Sequence, residues 1–526
     1  MSRYTVAELL RKNRSARTVN EPRVAVTYQG SDLTYEQLDA RSSRLASALA
    51  AQGFGQGDRV AVVLYNRLEW TEVFFAVAKL GGVVVPINYL LRANEVEYIL
   101  DDSGSSWVVY ESALAHTLGG LRASDRTRSY IQLDGAAGST ADQEQVLPGR
   151  HDYEVLLESG SATEFVPDGY VVDADDLLLL QYTSGTTGAP KGAMHTHSTV
   201  LWNSIHQVID FGITANEIFM VVPSLCWAAG FHDLALATLW SGGRIVLSPS
   251  TGFAPRTFLE SVADERVTSV LLVPTVLKRV LAEPSLTEHD LSSLRLVCSG
   301  GEPVPLRSIE DMHGKLPTCS LLQCYGMSEF PTMMLIVDPG DAHKKAGSTG
   351  RAATASEIRV VDADGIRVEP GVIGEIICRS PANMLGYYQN DQATRDTLID
   401  GWLHTGDLAT VDDEGFVYVS GRSKDMIITG GLNVYPAEVE RIIAGHPAVL
   451  EAAVVGAPDD DWGEIGVALV VLADGQTLTE DELLAYLRPE LATYKLPRRL
   501  LFSADPLPRT TSGKVQKFKV RTALAG

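Results

Sequence analysis

From Thr34 to Tyr110 the chain alternates amphipathic stretches with short runs that are apolar throughout. Thr34-Tyr-Glu-Gln37 reads as a capping box. Leu38, Leu45 and Leu49 follow at helical spacing, and Gly53 is placed to end the helix. Arg59–Leu64, Val83–Pro86 and Trp107–Tyr110 predict strands, with helices over Glu69–Leu80 and Asn94–Asp102 between them. Strands without alternation belong in a sheet buried on both faces, so the pattern predicts an α/β sheet with covering helices. Residues 115–175 are more polar and predict an irregular connection with a strand or two. The alternation then resumes. Strands are predicted at Phe219–Pro223, Arg244–Leu247, Ser269–Pro274, Leu294–Ser299 and Ser320–Cys324, and helices at Ser198–Ile209, Pro255–Val267 and Thr275–Ala282.

Beyond Gly347 the pattern changes. Glu357–Val361 and Ile366–Val368 flank Asp362-Ala-Asp-Gly365, a hairpin signal, and Gly374–Cys378 and Phe416–Val419 continue a β-rich stretch. After Met426 come helices at Ala437–Ile443 and Glu480–Leu491 and strands at Glu451–Gly456 and Val467–Leu472. The expected fold is α/β: a large N-terminal domain of several subdomains, with mixed sheets, covering helices and a small β-rich part, then a small mobile α+β domain.

One segment concentrates the chemistry. The apolar run Leu177–Leu180 leads into Tyr182-Thr-Ser-Gly-Thr-Thr-Gly-Ala-Pro-Lys-Gly192, a strand opening into a loop. The hydroxyls of Thr183, Ser184, Thr186 and Thr187, the glycines Gly185, Gly188 and Gly192, and the cation Lys191 form the composition of a polyphosphate cradle. Glycine allows close backbone approach, hydroxyls donate, and the lysine adds a point charge. Pro190 stands where a Walker A loop needs glycine, and the dinucleotide GxGxxG spacing is absent. The plain alternative is a Ser/Thr/Gly surface loop that binds nothing. Two further strand ends carry similar signals. Gly300-Gly-Glu-Pro303 opens space beside the sheet, where α/β folds bind ligands. Tyr325-Gly-Met-Ser-Glu329 offers an aromatic face for a purine and, in Glu329, a hard oxygen ligand suited to Mg²⁺.

Composition narrows the function. The 526 residues are 45% hydrophobic and 21% charged, ordinary globular usage. A net charge of −22 argues against nonspecific nucleic-acid binding and against docking on anionic membranes, and requires any polyanion site to be locally basic. Five cysteines, none spaced CxxC, suggest a reducing compartment and no structural zinc. The N-terminal stretch has no long apolar core and no apolar run reaches the length of a membrane span, so the expected location is the cytoplasm.

Taken together, Tyr182–Gly192, Gly301-Glu302-Pro303, Tyr325–Glu329, Trp402–Asp407, Gly421–Met426 and Pro508–Lys514 resemble, in order, the motifs of the adenylate-forming superfamily. That superfamily contains acyl-CoA synthetases, luciferases and peptide-synthetase adenylation domains. The resemblance covers essentially the whole chain and implies ATP, Mg²⁺ and CoA as ligands. By resemblance, the 182–192 loop holds the β- and γ-phosphates, Gly301, Glu302, Pro303 and Tyr325 bound the adenine, and Ser328 contacts the α-phosphate. Glu329 holds Mg²⁺, Asp407 and Arg422 hold the ribose, and Lys514 is the catalytic lysine. Lys424 falls at the hinge, which implies domains at 1–421 and 426–526 joined by 422–425.

The resemblance also implies an acyl pocket lined by Trp202, Cys226, Trp227, Ala229, Gly300, Gly326, Met327 and Phe330. Relatives often carry histidine where this chain has Cys226, which moves the gating role to Trp227; a plain core role for Trp227 has equal standing. The CoA channel is expected at Gly430, Gly431, Trp462, Tyr494, Lys495 and Arg498. The lining contains no cation for a second carboxylate, so the expected substrate is a hydrophobic monocarboxylic acid: aryl, medium-chain fatty or bulky polycyclic. CoA is the expected acceptor. The alternatives are an adenylase serving a carrier protein or partner enzyme, and a non-catalytic nucleotide-binding protein. Homodimers are a fair prior.

Overall fold

The computed structural model describes residues 4–14, 22–119, 129–134, 150–161, 165–183, 190–459, 461–509 and 515–525. Its described residues fall into two compact units. The first spans Met1–Thr183, Pro190–Glu357 and Arg379–Gly401; the second takes in Ile358–Cys378 and Trp402–Gly526. Packing defines these units. The hinge expected at 422–425 lies within the second unit.

Two sheets build the first unit. One has seven strands in the order 150–152, 129–133, 107–111, 59–63, 83–86, 177–183, 191–196, parallel except for the antiparallel last pair. The other has nine, in the order 351–352, 330–337, 320–327, 296–300, 269–271, 218–221, 244–247, 24–28, 31–34, with a parallel centre and antiparallel edges. The all-apolar runs are the central parallel strands, as their pattern requires: Val83–Pro86 is buried at every position.

Helix Leu68–Lys79 is buried on every face from Trp70 to Ala78. A helix of this kind belongs inside a core, and its Trp70 stacks on Phe74 and meets Phe231. Buried in the same helix, Glu72 accepts from Arg41 Nε at 2.6 Å and from the Tyr153 hydroxyl at 2.7 Å. Burial raises its carboxyl pKa, and these two donors oppose the shift. The capping box at Thr34 forms as expected, with Gln37 N–H on Thr34 Oγ1 at 3.1 Å and Gln37 Oε1 on Thr34 N–H at 2.8 Å.

Several predicted elements shift. The strand expected over Ser269–Pro274 ends at Leu271, because Pro274 opens a helix, Pro274–Leu281. Strands Lys191–Thr196 and Phe330–Val337 are antiparallel additions that periodicity did not mark. The polar region 115–175 contains short strands at Ser129–Leu133 and Arg150–Asp152 and a helix at Tyr153–Ser159.

In the second unit, strands 357–361, 374–379, 402–411 and 417–422 lie side by side. The hairpin at Asp362–Gly365 closes with Asp362 N–H on the Ile366 carbonyl at 2.9 Å, but its second arm is reduced to a single bridge at Arg367. A further sheet orders strands 432–434, 427–429, 463–472 and 449–459, with 499–503 parallel to 463–472. Helices Pro436–Ala444 and Glu480–Leu487 contribute Val439, Ile443, Leu483 and Leu487 to its main core, while Val520 packs with Ala453 and Val455 in a separate cluster.

Candidate active site

Two of the predicted motifs leave neighbouring strands at the same level. Strand Leu296–Gly300 runs parallel to Ser320–Met327 with Gly300 opposite Cys324. A Cβ on Gly300 would lie 2.7 Å from Cys324 Sγ and 2.8 Å from its carbonyl oxygen, so only glycine allows this approach. Gly301, Glu302 and Pro303 are therefore exposed beside half-buried Tyr325, Gly326 and Met327. The Gln323 side chain accepts from Val304 N–H at 3.2 Å and anchors the chain just past the turn.

The strand that follows the predicted phosphate loop reaches the same place. His195, on Lys191–Thr196, donates Nε2–H to the Ser328 carbonyl at 2.8 Å. Burial lowers its pKa to about 4, so the ring is neutral. Segment Met384–Tyr388 then lines up with this strand. Leu385 N–H donates to Met194 O, Met194 N–H to Gly386 O and Tyr388 N–H to Gly192 O, at 2.8–2.9 Å. Met384 N–H also donates to Glu329 O at 2.9 Å. Glu329 is 7% exposed. Its Oε1 accepts the Tyr387 hydroxyl at 2.6 Å, and the Tyr387 ring lies 4.9 Å from Lys191 Nζ. Among the described residues no hydrogen bond occupies Glu329 Oε2. One oxygen held and one open is the donor arrangement a hard cation with several waters accepts, so Glu329 fits Mg²⁺.

Thr183 and Lys191 pair at the mouth of the loop. Ser184, Gly185, Thr186, Thr187 and Gly188 lie outside the described residues, as does Lys514. The flanks of Lys514 are described: Arg509 pairs with Glu451 at 2.9 Å and bridges Val515, and Lys517 pairs with Glu440 at 2.8 Å.

The expected acyl lining divides. Phe330 is fully buried and Cys226 nearly so, and burial lifts the Cys226 thiol to about 12. Gln181 Nε2 donates to the Cys226 carbonyl at 3.3 Å, tying this turn to strand Leu177–Thr183. Trp227 is half-buried, with no described partner for its buried Nε1–H. Ala229 is half-buried, whereas Trp202 is 41% exposed on its helix. His232 is an interior histidine that burial holds at about 3, unsuited to accept a proton at neutral pH.

In the second unit, antiparallel strands set Asp407 opposite Arg422, whose Nε lies 3.1 Å from Asp407 Oδ1. The carboxylate and guanidinium read as a ribose pair are thus adjacent. Lys424 is exposed in a one-turn 3₁₀ segment, Ser423–Asp425. Gly430 and Gly431 form the two-residue loop of the hairpin 427–429/432–434, with φ of +56° and +80°. Positive φ at both positions is what a type I′ hairpin needs. Gly430 N–H donates to the Trp462 carbonyl at 2.8 Å, and the Trp462 ring, 43% exposed, carries the Arg498 guanidinium 4.5 Å from its centroid. Four of the predicted CoA residues are therefore together. Lys495 is bound by both Glu438 oxygens at 2.8 Å, and Tyr494 beside it is 38% exposed.

Sequence reasoning missed Tyr387 and His195. Tyr387 sits in Gly386-Tyr-Tyr388, an irregular stretch without periodicity, and two of the side chains it meets lie 58 and 196 residues away. The aromatic pair after a glycine was the only local signal.

The AMP-binding enzyme family model matches residues 13–388 and the AMP-binding enzyme C-terminal domain matches 438–514. Feruloyl-CoA synthase of an Amycolatopsis species is 39% identical, over 94% of this chain and 95% of that protein. Indoleacetate–CoA ligase of Aromatoleum aromaticum is 38% identical, over 96% and 95%. Fatty acid–[acyl-carrier-protein] ligase ScoC of Streptomyces coeruleorubidus is 34% identical, over 95% and 93%. Among solved structures, the anthranilate CoA ligase AuaEII with anthranoyl-AMP superposes with a TM-score of 0.87 at 28% identity, covering 99% and 98% of the two chains. The o-succinylbenzoate CoA synthetase MenE of Bacillus subtilis, bound to ATP and magnesium, gives 0.83 at 30%, covering 98% and 99%. No helix among the described residues is long and apolar enough to cross a membrane. The chain belongs to the AMP-binding enzyme family, in which it is an AMP-forming acyl-CoA synthetase, a carboxylate–CoA ligase working with ATP and CoA.

Proposed function

We propose that the substrate is a hydrophobic monocarboxylic acid, aryl, medium-chain fatty or bulky polycyclic, and that CoA is the physiological acceptor. The observation that carries the substrate class is the composition of the expected lining: Trp202, Cys226, Trp227, Ala229, Gly300, Gly326, Met327 and Phe330 include no charged residue. The names of relatives acting on ferulate and indoleacetate support an aryl acid.

A carboxylate oxygen attacks the α-phosphorus of ATP. The bond to the bridging oxygen breaks, pyrophosphate leaves, and acyl-AMP remains. The chain's work here is positioning and charge stabilisation. Thr183, Lys191 and the loop between them hold the β- and γ-phosphates, Ser328 the α-phosphate, and Gly301–Pro303 with Tyr325 the adenine. Asp407 accepts the ribose hydroxyls with Arg422 beside it, and Lys514 bridges the incoming carboxylate and the phosphate. Glu329 would hold Mg²⁺, which when bound would supply charge neutralisation at the phosphates. In the second step the CoA sulfur attacks the acyl carbonyl, the thiol proton is released and AMP departs. Lys424 is the pivot between the steps, and Gly430, Gly431, Trp462, Tyr494, Lys495 and Arg498 guide CoA.

The kinship with ScoC, named for transfer to a carrier protein, supports a second reading in which the acceptor is such a protein. One experiment tests both. The enzyme and MgATP are incubated with a panel of aryl, fatty and polycyclic acids, with and without CoA, and analysed by mass spectrometry. Acyl-AMP that converts to acyl-CoA supports the first reading and names the acid. Acyl-AMP that persists beside CoA supports the second. Products from charged or dicarboxylic acids alone would overturn the substrate class.

A further inference from the structure

Glu329, in the turn between strands 320–327 and 330–337, and Lys191, on strand 191–196, carry opposite charges, yet no ion pair joins them among the described residues. Tyr387 stands between them. Its hydroxyl donates to Glu329 Oε1 at 2.6 Å, and its ring lies 4.9 Å from the Lys191 ammonium. The tyrosine is only 6% exposed. Its backbone is fixed by the bridge to Ala193, and those of its neighbours Met384, Leu385, Gly386 and Tyr388 by hydrogen bonds to Glu329, Met194 and Gly192. The side chain therefore has little freedom of its own. A rigid donor on one oxygen fixes the plane of a carboxylate and leaves the other oxygen pointing in a set direction. The ring face, meanwhile, attracts a cation without neutralising it. An ordinary salt bridge between Glu329 and Lys191 would spend both charges on each other.

We propose that Tyr387 is a positioning residue that keeps the two charges apart. Its hydroxyl orients Glu329 so that Oε2 faces the metal, and its ring holds Lys191 ready for the nucleotide phosphates. The proposal rests on the reading of Glu329 as the metal ligand and Lys191 as a phosphate ligand. Outer partners of metal-binding carboxylates typically govern about 10–100-fold in affinity or activity. A cation–π contact at a partly exposed site is worth roughly 2–5-fold.

The two contacts separate by substitution. Tyr387→Phe keeps the ring and loses the hydroxyl; Tyr387→Leu loses both. ATP binding is measured calorimetrically in the absence of acid, as a function of Mg²⁺, so that no turnover enters the readout. Melting temperatures show that each variant is folded. With Tyr387→Phe, half-saturating Mg²⁺ should rise about tenfold, while ATP binding without metal stays at the parent value. Tyr387→Leu should in addition weaken metal-free ATP binding by about 2–5-fold. Glu329→Gln and the double variant Glu329→Gln/Tyr387→Phe should give the same half-saturation, because the hydroxyl acts only through the carboxylate. Parent-like Mg²⁺ dependence in Tyr387→Phe, or strict additivity in the double variant, would overturn the role given to Tyr387 alone. Parent-like Mg²⁺ dependence in Glu329→Gln would instead overturn the ligand reading on which that role rests.

Discussion

Gly430 and Gly431 provide an internally controlled test of the proposed CoA platform. Both have left-handed backbone, φ +56° and +80°, so alanine at either costs roughly 1–2 kcal/mol in hairpin stability. Their surroundings differ. A Cβ at Gly431 meets nothing within 4 Å, whereas one at Gly430 would lie 2.8 Å from Trp462 Cε3 and 3.0 Å from Cζ3. Carbon atoms rest at roughly 3.5–4.0 Å, so the half-exposed indole must swing away and take with it the face on which Arg498 lies. The loss combines a cation–π contact of roughly 0.5–1 kcal/mol with, for a stacked adenine, roughly 1–3 kcal/mol. Half-saturating CoA for Gly430→Ala should therefore exceed that of Gly431→Ala by between about tenfold and a thousandfold. The assay is initial thioester formation against CoA concentration. Pyrophosphate release without CoA reports adenylation, and thermal melts report the shared backbone cost. Identical CoA curves for the two variants would refute the assignment of Trp462 and Arg498 to CoA.

Other expectations follow from single features. Lys514→Ala should slow adenylation by about 10²–10³ yet spare thioester formation from supplied acyl-AMP; equal loss of both steps removes its assigned role. Gly431→Leu, unlike Gly431→Ala, places a branched chain where the thiol arm is expected. It should abolish CoA transfer while pyrophosphate release continues, and normal transfer would mean the channel lies elsewhere. Glu72→Ala strips the buried Tyr153 hydroxyl and Arg41 of a shared partner and should lower unfolding free energy by about 3 kcal/mol, measured by chemical denaturation. His195, His197 and His232 are depressed by burial to about 4, 4 and 3. Between those values and the unfolded value near 6.5 the unfolded chain binds more protons, so stability falls as pH drops below about 6.5, by up to roughly 1.4 kcal/mol per pH unit for each ring. Calorimetry from pH 7.5 to 5 checks this, and a flat melting temperature would contradict it.

The parallel core was legible because its strands are apolar without alternation and lie between unambiguous helices; Val83–Val85 and helix Leu68–Lys79 could be nothing else. Strand Lys191–Thr196 was not, since Lys-Gly-Ala-Met-His-Thr carries no period and owes its form to partners at 177–183 and 385–388. Motif spacing located Asp407 and Arg422, which the structure sets opposite each other, but could not show that Lys495 is already committed to Glu438. Tyr387 was invisible for a different reason: its meaning lies wholly in two distant side chains.

The segment Met384–Tyr388 also bears on the order in which the protein matures. It completes the surroundings of Glu329 and Lys191 from a point almost two hundred residues beyond the latter, close to the end of the matched family region at residue 388. During synthesis the chain folds from its N-terminus, and contacts of such long sequence separation are among the slowest to form. Both sheets of the first unit can thus be largely assembled on the ribosome while Glu329 still lacks the donor that holds it. A nascent chain stopped short of Met384 would hold both sheets while Glu329 still lacked the Tyr387 hydroxyl, which arrives only with the last stitch.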